Sequence, residues 1–234
     1  GYSTLRIAGL MEHWNRGPLE SFLTGLSAKV LRARDPGQTR LRVENIRDEA
    51  GQKGTGIWAG LAALEYGVAF PALFAALGAR MQNIPESKKS GSPSGPAGRI
   101  NTASLEKAFL RARILAFEQG LSLIHEVSEA RGWNVHQTGV LRAWSGGCII
   151  RGWVSEALRK GRPLAAPPDK HLAYAVGAAL DHDIPVPALA GTLAYLQAEK
   201  GRPRGLNLVA ALRDAFGAHG YRVKGAGGLR HASW

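Results

Sequence analysis

The chain has 234 residues, 45% of them hydrophobic, with 30 Lys and Arg against 18 Asp and Glu, giving a formal net charge of +12. This is an ordinary globular composition, and the length suits one large domain or two small ones with a sizeable core. The single cysteine, Cys148, excludes an intramolecular disulfide and a cysteine-rich metal centre, and no apolar run reaches the roughly 18 residues of a membrane-crossing helix.

Residues 1–30 lack the basic-then-apolar order of a signal peptide. The first residue is Gly1 rather than methionine, so a processed, tagged or partial chain is expected. Leu5, Leu10, Trp14, Leu19, Phe22, Leu23, Leu26 and Val30 recur at helical spacing. The Ala/Leu-rich segment 58–79 carries Pro71 in its middle and predicts two consecutive helices with a break near Gly67–Pro71. Residues 84–99, "IPESKKSGSPSGPAGR", form a Ser/Gly/Pro-rich stretch expected to be a mobile loop.

The longest predicted helix covers 102–131, from a cap at Thr102 or Ser104 to Gly132. Further helices are predicted at 135–145, 149–159, 169–181, 187–199 and 206–217, with a Gly-rich tail after Gly217. No segment alternates cleanly enough for a strand. The expected fold class is therefore all-α.

Three clusters can carry chemistry. In "DEAGQKGTGIW" (48–58), Gly51, Gly54 and Gly56 flank Lys53 and Thr55 where a helix should begin. Glycine lets a backbone approach a ligand, and a helix N-terminus presents free N–H groups, so this is a candidate anion cradle or a tight inter-helix turn. It is neither a Walker loop nor a dinucleotide fingerprint. In "WSGGCIIRGW" (144–153) the glycines allow close backbone packing, Cys148, Ile149 and Ile150 are expected in the core, and Arg151 is a ligand or a structural ion. In "LRDAFGAHGY" (212–221), Phe216 should face the core. Gly217 should stop the helix, and Arg213 and His219 could converge on one anion. No two histidines sit at metal-ligand spacing with a carboxylate. The positive charge suits a small phosphorylated substrate or a nucleic acid. No basic run of five or more occurs, which counts against the second.

Seven ordered blocks resemble the C-terminal domain of 6-phosphogluconate dehydrogenase, the decarboxylating enzyme of the pentose phosphate pathway. They are "WNRGPLESFL", "DEAGQKGTGIW", "ALEYGVAFPALFAALGAR", "ARILAFEQG", "WSGGCIIRG", "DIPVPALAGTLAY" and "LRDAFGAHGYR", and the closing "LRHASW" resembles that family's end too. The resemblance implies an all-α substrate and dimerisation domain over 1–216, with a tail at 217–234 that packs on the partner subunit. It implies that Lys53, Thr55 and Arg80 hold the phosphate or sugar of a phosphorylated sugar acid, with Arg213 and His219 reaching in from the other protomer of a homodimer.

The family oxidises 6-phosphogluconate with NADP and decarboxylates it to ribulose 5-phosphate. Its catalytic lysine and acid glutamate lie on a helix before the block matched by Gly1–Asn15, and its nucleotide-binding domain lies earlier still. No catalytic residue and no NADP site are therefore expected in these 234 residues, no "GxGxxG" occurs, and the chain alone is expected to be inactive in redox chemistry. A separate nucleotide-binding chain could supply the missing part. The alternative is a standalone relative on the same scaffold, with a different reaction or a ligand-binding role on a phosphorylated or carboxylated small molecule. A cytoplasmic location is expected, without membrane association.

Overall fold

The computed structural model describes residues 2–51, 53–82, 100–201 and 205–234; the expected loop at 84–99 lies outside them. Among the described residues there are ten α-helices: α1 Thr4–Trp14, α2 Phe22–Arg32, α3 Thr55–Glu65, α4 Pro71–Met81, α5 Thr102–Arg131, α6 Gln137–Ser145, α7 Trp153–Arg159, α8 Lys170–Leu180, α9 Pro187–Glu199 and α10 Leu206–Gly217. Among the described residues only isolated β-bridges occur, with no strand. The all-α expectation holds, and the helix break before Pro71 falls where it was predicted. The chain forms two compact units, Gly1–Leu193 and Ala194–Trp234.

In the first unit, α5 is the spine. At 30 residues it is about 45 Å long. Asn101 caps it by accepting a hydrogen bond from the Ser104 amide, in place of the Thr102 or Ser104 cap expected from sequence. Gly132, with φ of 65°, ends it as predicted. Leu115 and Leu123 of α5 are buried, as are Leu172, Ala175 and Val176 of α8, which packs along it. The Arg111–Asp169 pair, 3.0 Å apart and mostly buried, fixes the start of α8 against α5.

Helices α1 and α2 pair closely. Ser3 and Ser21 cap them, accepting from the Arg6 and Thr24 amides. A bidentate Arg32–Glu12 contact joins them at 2.6 and 2.9 Å. Beneath their connection, the largely buried Arg113 of α5 donates to the Leu19 carbonyl and the Thr24 hydroxyl, at 2.8 and 2.9 Å. Burial holds the Arg113 guanidinium below its ordinary pKa, with Glu20 opposing that effect.

The segment before α7 departs from expectation. The predicted helix 149–159 begins only at Trp153, and Ile149 is 60% exposed, so it does not enter the core. Gly147, with φ of 135°, turns the chain, and Cys148 and Ile150 are half-buried in the bend. Arg151 is structural: it donates to the Gly147 and Cys148 carbonyls and lies 4.0 Å over the Phe22 ring. The close backbone approach occurs at Gly152, not at Gly146 or Gly147. A bridge joins Ser21 to Gly152, and a Cβ there would lie 2.5 Å from the Glu20 carbonyl oxygen.

The second unit holds the end of α9, then α10 and the tail. The tail folds back through a bridge between Tyr221 and Arg230, with two hydrogen bonds of 2.9 Å. The Trp234 ring lies tilted against Tyr221, with centroids 5.6 Å apart.

Candidate functional site

The glycines around Lys53 have separate tasks. Gly54 alone takes a left-handed conformation, with φ of 92°, and turns the chain into α3. Gly56 and Gly60 are there for packing: a Cβ at Gly56 would meet Leu77 at 3.0 Å, and one at Gly60 would meet Leu77 and Phe74 at 3.3 and 3.4 Å. These contacts set α3 and α4 side by side. They place the first turn of α3 beside the later part of α4, and Arg80 stands about one helical turn past Leu77.

Lys53 and Thr55 thus stand at the start of α3 and Arg80 in the last turn of α4, toward the same end of the hairpin, and all three are exposed. The opening amides of α3 have no partner within the helix, which favours an anion there. The sequence placed these residues together only through resemblance; the hairpin supplies the geometry.

Arg213 and His219 both belong to the second unit, at the end of α10, and both are exposed. The expected stop comes one residue late, since Ala218 takes the left-handed conformation at φ of 47°. Phe216 does not face the core. It is 76% exposed and meets the His219 ring edge to face at 6.2 Å, because Gly217 has no Cβ to separate them from the backbone between.

Sequence reasoning missed Asp214. It neighbours Arg213, yet its side chain is fully buried. Its Oδ1 accepts from the Gly220 amide at 3.0 Å and faces His231 Nδ1 at 2.7 Å, while Oδ2 accepts from the Ala232 amide at 3.0 Å and Trp234 Nε1 at 2.9 Å. The Trp234 indole, with Ala232, His231 and Gly220, outweighs burial and pulls this carboxyl down to about 2. The available signal was an acid in the last turn of a helix, where the dipole disfavours it.

A cleft of about 690 Å³ opens between α2 and α7, with Lys29, Arg151, Lys160, Arg162, Glu20 and Glu156 among its lining residues. None of the five candidate ligands lines it. Among the described residues no trio of His, Cys, Asp or Glu could hold a metal ion, and no helix is long and apolar enough to cross a membrane.

The fold is that of an all-helical domain built on one long helix, with basic clusters at a hairpin end and a helix end. The family described as "6-phosphogluconate dehydrogenase, C-terminal domain" matches residues 1–163 and 164–234, and the chain belongs to that family. The decarboxylating 6-phosphogluconate dehydrogenase of Caenorhabditis elegans is 32% identical over 258 residues, covering 98% of this chain and 53% of the worm protein. Its namesake in Synechococcus elongatus is 30% identical, covering 100% and 56%. A solved structure of Plasmodium falciparum 6-phosphogluconate dehydrogenase superposes with a TM-score of 0.86 at 32% identity, over 100% of this chain and 56% of that one. That protein is described apo, with its cofactor NADP+ and with its substrate 6-phosphogluconate. The chain spans about half the length of the curated relatives it matches.

Proposed function

We propose that this chain is the substrate-binding and dimerisation domain of a 6-phosphogluconate dehydrogenase-like oxidoreductase, which oxidises and decarboxylates 6-phosphogluconate to ribulose 5-phosphate. The observation that carries the reading is that Lys53 and Thr55 stand at the start of α3 while Arg80 stands in the last turn of α4, toward the same end of that hairpin. An ammonium, a hydroxyl and a guanidinium there suit a phosphorylated sugar acid. Arg213 and His219 of the partner subunit complete the site in this reading. The net charge of +12 draws such an anion toward the protein.

A homodimer is supported by apolar surface that a lone copy leaves in water. Leu208, Leu212 and Phe216 are exposed along one side of α10, and Trp58, Leu61 and Leu64 along α3. In this reading the tail, 217–234, packs on the partner, and the complex works in the cytoplasm. NADP enters through the family. No residue here is assigned to it, and a separate nucleotide-binding chain remains part of the proposal.

The test is calorimetric titration with 6-phosphogluconate. Lys53→Ala and Arg213→Ala are each expected to weaken binding by about 1.5–3 kcal/mol, the worth of a charge-assisted hydrogen bond. Mixing the two variants should return some native sites, because a mixed dimer carries one intact pair. Unchanged affinity in both variants removes the site, and variants that never complement each other remove the sharing between protomers.

A further inference from the structure

We propose that Asp214 is a positioning residue that ties the end of the chain to α10 and fixes the place of His219 as an anion ligand; this rests on the site reading above. His219 is bracketed by Asp214 on both sides. The Ala218 amide donates to the Asp214 backbone carbonyl at 2.8 Å, and the Gly220 amide donates to its carboxylate at 3.0 Å. Ala218 and Gly220 are both left-handed, with φ of 47° and 72°. An alanine in that conformation persists only where its surroundings over-determine it. The carboxylate provides that determination, and residues 231–234 provide its counterweight through His231, Ala232 and Trp234.

The placement argues against a merely local role. An acid in the last turn opposes the helix dipole, and Asp214 is buried while Arg213, Ala215 and Phe216 beside it are exposed. Its four partners all lie beyond the helix end. A residue that breaks a local rule and is repaid only by distant contacts marks a site under functional constraint.

Asp214→Asn is the discriminating change. An amide keeps one acceptor oxygen, so whichever way it turns, its NH₂ confronts one of the two donor pairs. The full chain is compared with this variant by histidine-ring NMR and by titration with 6-phosphogluconate. His219 ring signals should shift or broaden, the Trp234 indole N–H should exchange faster, and affinity should fall by about ten-fold or more. His219→Ala should then cost little further affinity in the Asp214→Asn background, whereas Lys53→Ala should cost the same factor in both backgrounds.

Unmoved His219 signals overturn the proposal. So does an Asp214→Asn effect that is equal with His or Ala at position 219. If the unaltered chain binds no 6-phosphogluconate, the site reading falls, and the His219 signals alone decide the positioning role. Trp234→Phe keeps a ring against Tyr221 and deletes one donor. It should move the His219 signals the same way by less, and it decides the matter if Asp214→Asn fails to fold.

Discussion

Replacing Gly217 with alanine separates stability from binding in a way the geometry dictates. Gly217 is the last residue of α10 and its φ is not left-handed, so the backbone accepts alanine. Gly→Ala within a helix gains about 0.5–1 kcal/mol, which raises Tm by about 1–4 °C in a chain of this size. The new methyl, however, would lie 2.8 Å from His219 Cδ2 and 2.9 Å from Nε2, where ordinary contact begins at 3.4 Å. The ring must retreat by about 0.6 Å, the shortfall between the two distances, and it leaves its seat against Phe216. If His219 contacts the anion, the displaced ring forfeits about 1.5 kcal/mol, near ten-fold in affinity. Calorimetry with 6-phosphogluconate and thermal unfolding by circular dichroism read the two effects independently. A variant with raised Tm and an affinity within about two-fold of the original refutes a ligand role for a ring seated on Gly217. A clear fall in Tm refutes the backbone reasoning.

Gly152→Ala is expected to act in the opposite sense. Its Cβ would lie 2.5 Å from the Glu20 carbonyl oxygen and 2.7 Å from Ser21 Cα, and since both are backbone the overpacking should cost about 1–3 kcal/mol. Tm should drop by about 2–12 °C, and an unchanged Tm would show that the α1–α2 connection yields freely. Tail docking should depend on acid. The Asp214 carboxyl is depressed to about 2, so its contribution is complete above the unfolded value of about 3.9 and is lost as pH falls through about 2. The Trp234 indole signal should therefore stay native at pH 4 and change below pH 3, roughly the window between those two values. Docking already lost at pH 4, roughly the unfolded carboxylate value, would refute the role given to the Asp214 carboxylate.

Much of this protein follows from its sequence, because helix signals are local. Pro71 at a helix start and Gly132 in the left-handed conformation at a helix end act on their own backbones and immediate neighbours, so the breaks they set survive folding. Lys53, Thr55, Arg80, Arg213 and His219 were candidates through ordered motifs, and the α3–α4 contacts at Gly56 and Gly60 set the start of α3, after Lys53, toward the same end of the hairpin as the last turn of α4, which carries Arg80. Only the tertiary structure decided which glycine meets another backbone, that Ile149 and Phe216 lie on the surface of the single chain, and that Asp214 gathers donors from up to twenty residues away. Those outcomes depend on groups distant in the chain meeting within a few ångströms, and neither hydrophobic periodicity nor capping chemistry records that distance.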